Sequence, residues 1–299
     1  MKKSQLITML IVLTLAAVST VGCGVGASTP AGPTFTKLAF YSSRTVSPAT
    51  NLFLMNLDGS SVTPVPFTGG IYSPSTSADL KTIGFDSSSN YWVSNADGST
   101  QTQLTGNGTG FSIRVSPDGK KLISNKQDSV TNAYHLWITN VDGSGALDLT
   151  STMPPGMVQC YGGSFSADSS KIVMNCQGNS SSGIFTIKPD GSGVATVITQ
   201  NQFVDTPAFT PDGSKILFVS YSLTGASPYG IVSVNPDGSN LVVLVNGSYE
   251  LEVLNSNLYY TLYDSTPATY KIYKSNLDGT AAVALTDGTS VDYLGLSTD

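Results

Sequence analysis

Short runs of alternating apolar and polar residues fill the chain after residue 36, and turn-forming residues separate them. Six runs end in Asp-Gly, a strong hairpin signal because a tight primed turn requires positive φ. Successive Asp residues of these hairpins are 39 to 48 positions apart, and such a period indicates a repeat architecture. Five hairpins carry an Asn two residues before the Asp, where its side chain is expected to bond local backbone. The six Asp residues are Asp58, Asp97, Asp142, Asp190, Asp237 and Asp278.

A second turn signature lies between the hairpins of repeats two to five. Its Ser or Asp caps the turn, and Pro, where present, fixes φ at the second position. Each repeat of about 44 residues therefore predicts four short strands, A to D in chain order. The signature joins A to B and the Asp-Gly hairpin joins C to D, whereas the sixth repeat has Leu254-Asn255-Ser256-Asn257 in place of the signature. The four copies are Ser77-Ala78-Asp79, Ser116-Pro117-Asp118, Ser166-Ala167-Asp168 and Thr210-Pro211-Asp212.

Six four-stranded antiparallel sheets bury both of their faces when they pack around a common axis. The sequence therefore predicts an all-β, six-bladed β-propeller over residues 36–299. The chain stops at Leu296-Ser297-Thr298-Asp299, which matches strand A and its turn without a following strand B. It enters the repeats at Lys37-Leu38-Ala39-Phe40, which matches strand B without a preceding strand A. We expect the C-terminal strand to pair into the first blade and close the ring, which hides two sheet edges.

One strand position recurs as a large apolar residue, five residues before each hairpin Asp. Recurrence in every repeat indicates a blade-to-blade core rather than a ring of aromatic side chains that stacks on a ligand. The residues at this position are Phe53, Trp92, Trp137, Phe185, Val232 and Tyr273.

Charge and composition exclude several function classes. A net charge of −6 argues against a sequence-independent nucleic-acid binder, which needs a basic face to neutralise phosphates. The single His, His135, argues against a His-rich metal site, and we expect it to be a packed or surface side chain. Most Asp residues belong to the two turn signatures, where they stabilise the turns. The sequence therefore predicts no metal site, no cofactor and no catalytic residue.

The hairpins and turns resemble the TolB-type β-propeller repeat, a WD40-like family. A blade of that family carries an Asp-Gly hairpin and a Ser-Pro-Asp-Gly turn followed by a basic residue and an apolar strand. The best matches are Ser116 to Ile123 and Thr210 to Phe218, and the resemblance covers 264 of 299 residues. It implies the propeller fold and is weak for function. The related oligogalacturonate-lyase-like propellers use several His residues around a metal, which one His cannot supply.

The first residues read as an export signal. Lys2 and Lys3 precede a 16-residue, mostly apolar run from Leu6 to Val21, which is short for a membrane span. Thr20-Val21-Gly22-Cys23 resembles the bacterial lipoprotein cleavage box, which implies removal of residues 1–22 and acylation of Cys23. Residues 23–35 would then form a lipid-attached flexible tether. The prediction is an exported lipoprotein facing the periplasm or cell surface; ordinary cleavage and an uncleaved anchor are the alternatives.

Export changes the interpretation of the two remaining cysteines. Cys160 and Cys176 flank the turn around Asp168, and strands that pair about Asp168 would place them opposite each other. A cross-strand disulfide is geometrically feasible and suits an oxidising compartment. The alternative is two buried thiols at neighbouring sheet positions.

Residues that break the repeat are the candidates for function. Strand A lines the axis of a propeller, and the equivalent positions two residues before the signature are Ser75, Arg114, Ser164, Ala208 and Gly295. Arg114 is the charged member of that set. Near the strand A starts stand Tyr72, Tyr161, Asp205, Glu250 and Asp292. We hypothesise that Arg114 and these five residues form a polar, partly aromatic mouth that receives a segment of a partner.

Three functions fit this pattern. The first is a non-catalytic, monomeric scaffold that binds an envelope protein or peptide segment and touches the membrane through its lipid alone. The second is a propeller that binds or cleaves an envelope polysaccharide, which requires at least two of Asp205, Glu250, Glu252 and Asp292 close together with raised pKa values. The third is a passive surface lipoprotein without a specific ligand.

Overall fold

The computed structural model describes residues 34–43, 52–66, 71–87, 90–104, 112–179, 181–200, 203–221, 229–265 and 268–294. These residues form six four-stranded antiparallel sheets and one short 3₁₀ turn at Thr150–Thr152. No helix in this described part of the chain has the length and apolar character needed to cross a membrane. The predicted all-β six-bladed propeller is confirmed.

Strand A of each blade lies next to the axis and strand D lies at the outer edge. Blade 1 consists, from A to D, of β24 (Asp292–Tyr293), β1 (Lys37–Ser42), β2 (Leu52–Asn56) and β3 (Thr63–Pro64). Blade 2 consists of β4 (Tyr72–Thr76), β5 (Ile83–Ser87), β6 (Asn90–Ser94) and β7 (Thr102–Gln103). Blade 3 consists of β8 (Ile113–Val115), β9 (Lys121–Gln127), β10 (Tyr134–Asn140) and β11 (Leu147–Asp148).

The last three blades follow the same strand order. Blade 4 consists of β12 (Met157–Phe165), β13 (Ile172–Gly178), β14 (Ser182–Ile187) and β15 (Ala195–Gln200). Blade 5 consists of β16 (Val204–Phe209), β17 (Ile216–Ser220), β18 (Gly230–Val234) and β19 (Val242–Asn246). Blade 6 consists of β20 (Leu251–Leu254), β21 (Asn257–Ser265), β22 (Ala268–Asn276) and β23 (Val283–Ala284). The A–B turns and C–D hairpins share one face, the A–B face; the D–A and B–C connections share the other, the D–A face.

The ring closes in blade 1, as the sequence predicts. β24 pairs antiparallel with β1, with Tyr41 opposite Tyr293 and Ser42 opposite Asp292. The N–H of Ser43 adds a hydrogen bond of 3.2 Å to the carbonyl of Val291. Both sheet edges at the junction are therefore paired across the two ends of the chain. Gly295 and the Leu296–Asp299 segment lie outside the described residues.

The Asp-Gly hairpins use a different turn from the primed one that the sequence predicts. In the first hairpin the N–H of Gly59 donates to the carbonyl of Asn56 at 2.9 Å. Among the turn residues Asn56 to Gly59, only Gly59 takes a positive φ, of 86°, so the hairpin is a four-residue turn with glycine at the left-handed position. The Asn56 side chain donates to the hydroxyl of Ser60 at 2.9 Å, not to backbone, and Asp58 accepts from the Ser60 N–H.

The A–B turns follow their predicted chemistry. In blade 3 the Ser116 hydroxyl donates to Asp118 at 2.6 Å and accepts from the Lys121 N–H at 2.9 Å. The replaced turn of blade 6 has another use, because it holds the incoming chain. The Asn255 side chain accepts from the N–H of Phe35 at 3.0 Å and donates to its carbonyl at 2.9 Å. The chain therefore enters the ring on the A–B face, beside the axis.

The hydrophobic core is divided into clusters between neighbouring blades. One cluster joins Ile123 and Leu136 of blade 3 to Ile172 and Phe185 of blade 4. The recurring position behaves as predicted in three blades, where Phe53, Phe185 and Val232 are buried. The other three members are half-buried: Trp92 and Tyr273 pack against core clusters, and Trp137 lies under the Lys126 ammonium at 5.7 Å.

Cys160 and Cys176 are opposite each other in the sheet, and a disulfide joins them. The predicted register is wrong next to the turn, where Phe165 faces Ile172. An irregularity between Tyr161 and Gly163, where Gly162 has a φ of +53°, then shifts the strands by one residue and brings the cysteines into register.

Candidate functional site

The propeller axis holds a cavity of about 420 Å³ on the A–B face, which we call the axial funnel. All six blades contribute to its lining. Ser75, Arg114, Ser164 and Ala208 line it at the strand A positions that the sequence indicates. In each blade, strand A runs along the channel from the D–A face to the A–B face. Its last residues therefore form the wall of the funnel, and the A–B turns form the rim.

The funnel wall carries both apolar and polar groups, with apolar surface in slight excess. Phe165 and Phe209 end their strands at equivalent positions of blades 4 and 5, and Leu254 and Leu294 face them from blades 6 and 1. Phe35, which Asn255 holds by its backbone, adds an aromatic ring at the rim. The apolar part of the wall suits a ligand whose own side chains are apolar.

An ion pair crosses the channel at the base of the funnel. Arg114 of blade 3 and Glu252 of blade 6 belong to opposite blades, and their Nη1 and Oε2 atoms are 3.2 Å apart. Side-chain exposure is 11% for Arg114 and 27% for Glu252. The same two residues also line a second cavity of about 20 Å³, whose wall includes Ser112 and Thr206 near the strand A starts. The pair therefore separates the funnel from the D–A end of the channel.

Glu250 does not reach the mouth, although the sequence hypothesis places it there. It is 1% exposed, and its Oε2 accepts from the Thr261 hydroxyl at 2.7 Å and from the Leu294 N–H at 3.4 Å. Burial raises the pKa of Glu250 to about 7, against these hydrogen bonds and the charge of Arg114. Glu250 thus joins blade 6 to the closing segment of blade 1.

Asp205 and Asp292 are also buried, so the prediction of a carboxylate-lined mouth is corrected. Asp205 accepts from the Thr206 N–H at 2.7 Å, and burial raises its pKa to about 6. Asp292 accepts from the Ser42 hydroxyl at 2.6 Å within blade 1. Carboxylates near the strand A starts turn into the sheet, because neighbouring strands there offer N–H and O–H donors.

Equivalent polar side chains bridge other blades. Asn125 of blade 3 donates to the Cys160 carbonyl of blade 4 at 3.0 Å, and Asn175 of blade 4 donates to the Val204 carbonyl of blade 5 at 3.0 Å. Asp86 of blade 2 accepts from backbone at Ser112 of blade 3, and burial raises the pKa of Asp86 to about 6. These groups connect strand B of one blade to strand A of the next.

The remaining predicted residues have separate locations. The backbone of Tyr72 lies at the start of β4, opposite Asp86. Tyr161 is 9% exposed at the D–A end of blade 4. His135 is paired with Asp148, with 2.7 Å between Nδ1 and Oδ2. Cys23 and residues 1–22 lie outside the described residues, as does most of the tether.

The sequence analysis missed a row of aromatic rings on the D–A face of blades 4 to 6. Centroids of successive rings are 5.1 to 6.4 Å apart. The signal is present in the sequence as aromatic residues beside the D–A and B–C junctions of these three repeats. We call this row the tyrosine belt; its members, in order, are Tyr161, Phe203, Tyr221, Tyr229, Tyr249, Tyr270 and Tyr263.

No protein-family model and no curated protein matches the sequence. Solved structures match the fold. A proposed TolB from Agrobacterium tumefaciens superposes with a TM-score of 0.63 at 17% identity, covering 86% of this chain and 97% of that one. TolB from Acinetobacter baumannii gives a TM-score of 0.66 at 16% identity, covering 86% of this chain and 65% of that one.

Oligogalacturonate lyase from Vibrio parahaemolyticus also has a similar fold, with a TM-score of 0.55 at 16% identity. The match covers 84% of this chain and 73% of the lyase. The predicted resemblance to TolB-type propellers is therefore confirmed at the level of the fold.

Proposed function

We propose that this chain is an exported, lipid-anchored envelope protein whose propeller binds a segment of a partner protein in the axial funnel, without catalysis and as a monomer. The funnel is the observation that carries this proposal. It has the volume of a small-molecule site, walls of apolar and polar groups from six blades, and one ion pair at its base.

The funnel chemistry suggests what the partner segment presents. Apolar side chains would pack against Phe165, Phe209 and Leu254, and a polar group at the tip would exchange hydrogen bonds with Arg114 or Glu252. The closed ring holds these walls in place before binding. Little entropy is then lost in ordering the site, which favours affinity.

The location in the proposal comes from the N-terminal sequence. Removal of residues 1–22 and acylation of Cys23 would leave a membrane contact through lipid alone. Entry of the chain beside Asn255 supports a tether on the A–B face. The net charge of −6 supports a partner other than nucleic acid.

The alternative of polysaccharide cleavage has one supporting observation. Asp205 and Glu250 have the raised pKa values that it requires. Both are buried and bonded within the protein, however, and of the four candidate carboxylates Glu252 is the one that lines the funnel. Of the carboxylates that line the funnel, Glu252 is held by Arg114, and Asp212 accepts from the Thr210 hydroxyl, which lowers its pKa; glycoside hydrolysis generally uses a carboxylic acid of raised pKa beside a second carboxylate. The geometry favours binding over cleavage.

Photo-crosslinking tests the proposed binding. A photoreactive amino acid replaces Ala167 on the funnel rim, and the matched control carries it at Ser192, exposed on the same face but in a C–D hairpin. In cell envelopes, Ala167 should give a discrete adduct with one polypeptide that Ser192 does not give. The R114A/E252A variant, which removes both charges together, should lose that adduct. Equal adducts from both positions, or an adduct unchanged in R114A/E252A, would contradict the proposal.

A further inference from the structure

The tyrosine belt is a continuous aromatic surface on the face opposite the axial funnel. It begins at the 9% exposed Tyr161, continues through half-buried rings and ends at Tyr263, which is 56% exposed. Adjacent rings make stacked, tilted and edge contacts, such as the 5.1 Å edge contact between Phe203 and Tyr221. Such contacts fix the rings relative to one another and leave part of each ring facing solvent.

The belt differs from the buried aromatic residues of the blade core. Its members come from three blades and from strands A, B and C as well as connections, so no single repeat position explains them. Tyr and other aromatic residues are enriched at the centres of binding surfaces, because each offers a rigid apolar body with a polar end. The belt therefore has the composition of a binding surface.

Negative charge lies beneath the belt. At the D–A end of blades 4 to 6, the charged groups among the described residues are Asp205, Glu250, Asp264, Lys271 and Asp287, and the charge of Arg114 also acts on Asp205 and Glu250. Lys271 is paired with Asp264 at 2.7 Å. Burial raises the pKa of Tyr221 to about 12, and the charges of Asp205 and Glu250 add to the shift, so these carboxylates act electrostatically on the belt.

A positively charged ligand is complementary to this arrangement. Cations bind over aromatic faces within about 6 Å of the ring centre, and the effect strengthens where the site is partly dry. The protein already has such a contact in blade 3, where the Lys126 ammonium lies 5.7 Å from the Trp137 ring centre. An anionic ligand would instead be repelled by Asp205 and Glu250.

The ring spacing indicates the form of the ligand. In an extended polypeptide, side chains on one face repeat every ~6.6 Å. Successive belt rings are 5.1 to 6.4 Å apart. We propose that the tyrosine belt is a second docking surface, independent of the axial funnel, that binds an extended polypeptide segment with Lys or Arg at alternate positions.

The test measures binding of short labelled peptides to the full-length chain in detergent at pH 8. One peptide alternates Arg with Thr, and its control carries Gln in place of each Arg. We expect the Arg peptide to bind, the Gln peptide to bind at least tenfold more weakly, and added salt to weaken the Arg complex. Equal affinity for the two peptides would overturn the proposal, as would tighter binding of a neutral oligosaccharide such as cellohexaose.

Two belt variants and one matched control assign the binding to the rings. Y229A/Y249A removes two central rings and should weaken the Arg peptide about tenfold or more. Y229F/Y249F keeps the rings and should bind within about twofold of the wild type, which also guards against loss through misfolding. Y134A changes a half-buried tyrosine on the same face of blade 3, outside the belt, and should leave binding unchanged. Unchanged affinity in Y229A/Y249A, or an equal loss in Y229F/Y249F and Y134A, refutes the assignment.

Discussion

Replacing Glu250 by Gln should change how stability depends on pH. The ordinary pKa of this carboxyl is 4.5, and burial raises it to about 7 in the folded protein. Between these values the folded protein holds a proton that the unfolded chain releases. Stability therefore falls as pH rises from about 4.5 to 7, and the loss is complete above pH 7. At ~1.4 kcal/mol per pKa unit, ionised Glu250 costs about 3 kcal/mol.

The E250Q variant keeps the shape of the side chain and an acceptor oxygen for Thr261 and Leu294, but it cannot ionise. Between pH 5 and pH 8 the wild type should lose about 2.5 kcal/mol more stability than E250Q. Asp205 and Asp86 shift in the same direction, but they are present in both proteins and cancel in the comparison.

Urea unfolding at pH 5 and pH 8, followed by tryptophan fluorescence, measures the difference. D237N is the control, because Asp237 is an exposed hairpin residue whose pKa is lowered by hydrogen bonds to Ser239. Its contribution is lost below pH 4, outside the tested range, so D237N should follow the wild type. The reasoning fails if wild type and E250Q show the same change, or if the wild type is more stable at pH 8 than at pH 5.

Three further predictions concern the base of the funnel, the disulfide and the anchor. R114A alone should lower the melting temperature more than R114A/E252A, because the single change leaves the half-buried Glu252 without its partner. Equal melting temperatures of the two variants would show that the ion pair does not contribute to stability. C160A/C176A should lose about 3 kcal/mol in urea unfolding, because the disulfide closes a loop with a sequence separation of 16. An unchanged midpoint under oxidising conditions would contradict this. C23S should abolish incorporation of labelled palmitate in cells while C160A/C176A retains it, and labelled C23S would disprove the proposed lipid site.

Much of the fold could be predicted from the sequence because each blade repeats the same local chemistry. Asp-Gly and Ser-Pro-Asp turns fix the strand order, and the positions of strand A therefore fix which residues line the axis. Ser75, Ser164 and Ala208 line the funnel for this reason. The closure of blade 1 follows from the same order, since a strand B without a preceding strand A needs a partner.

The candidate site was less predictable because bulges interrupt strand A. The strand register shifts between Asp205 and Ala208. In a regular strand, side chains alternate between the two faces of the sheet, and counting that alternation from Ala208 at the funnel puts the Asp205 side chain on the wrong face. The Arg114–Glu252 pair joins blades that are not neighbours, and no local pattern reports such a contact. The tyrosine belt combines residues of three different strand positions, so alignment of the repeats does not bring them together.

The hydrogen bonds between Asn255 and Phe35 place the start of the ring on the A–B face, which matters if Cys23 carries the proposed lipid. Twelve residues run from Cys23 to Thr34, and fully stretched they span at most ~40 Å. An acyl chain on Cys23 would therefore keep the A–B face within about that distance of the lipid headgroups, whereas the belt lies on the opposite face. A partner of the funnel would then have to fit between the A–B face and the bilayer, in a gap about as tall as one small domain. A ligand of the belt would not meet this restriction.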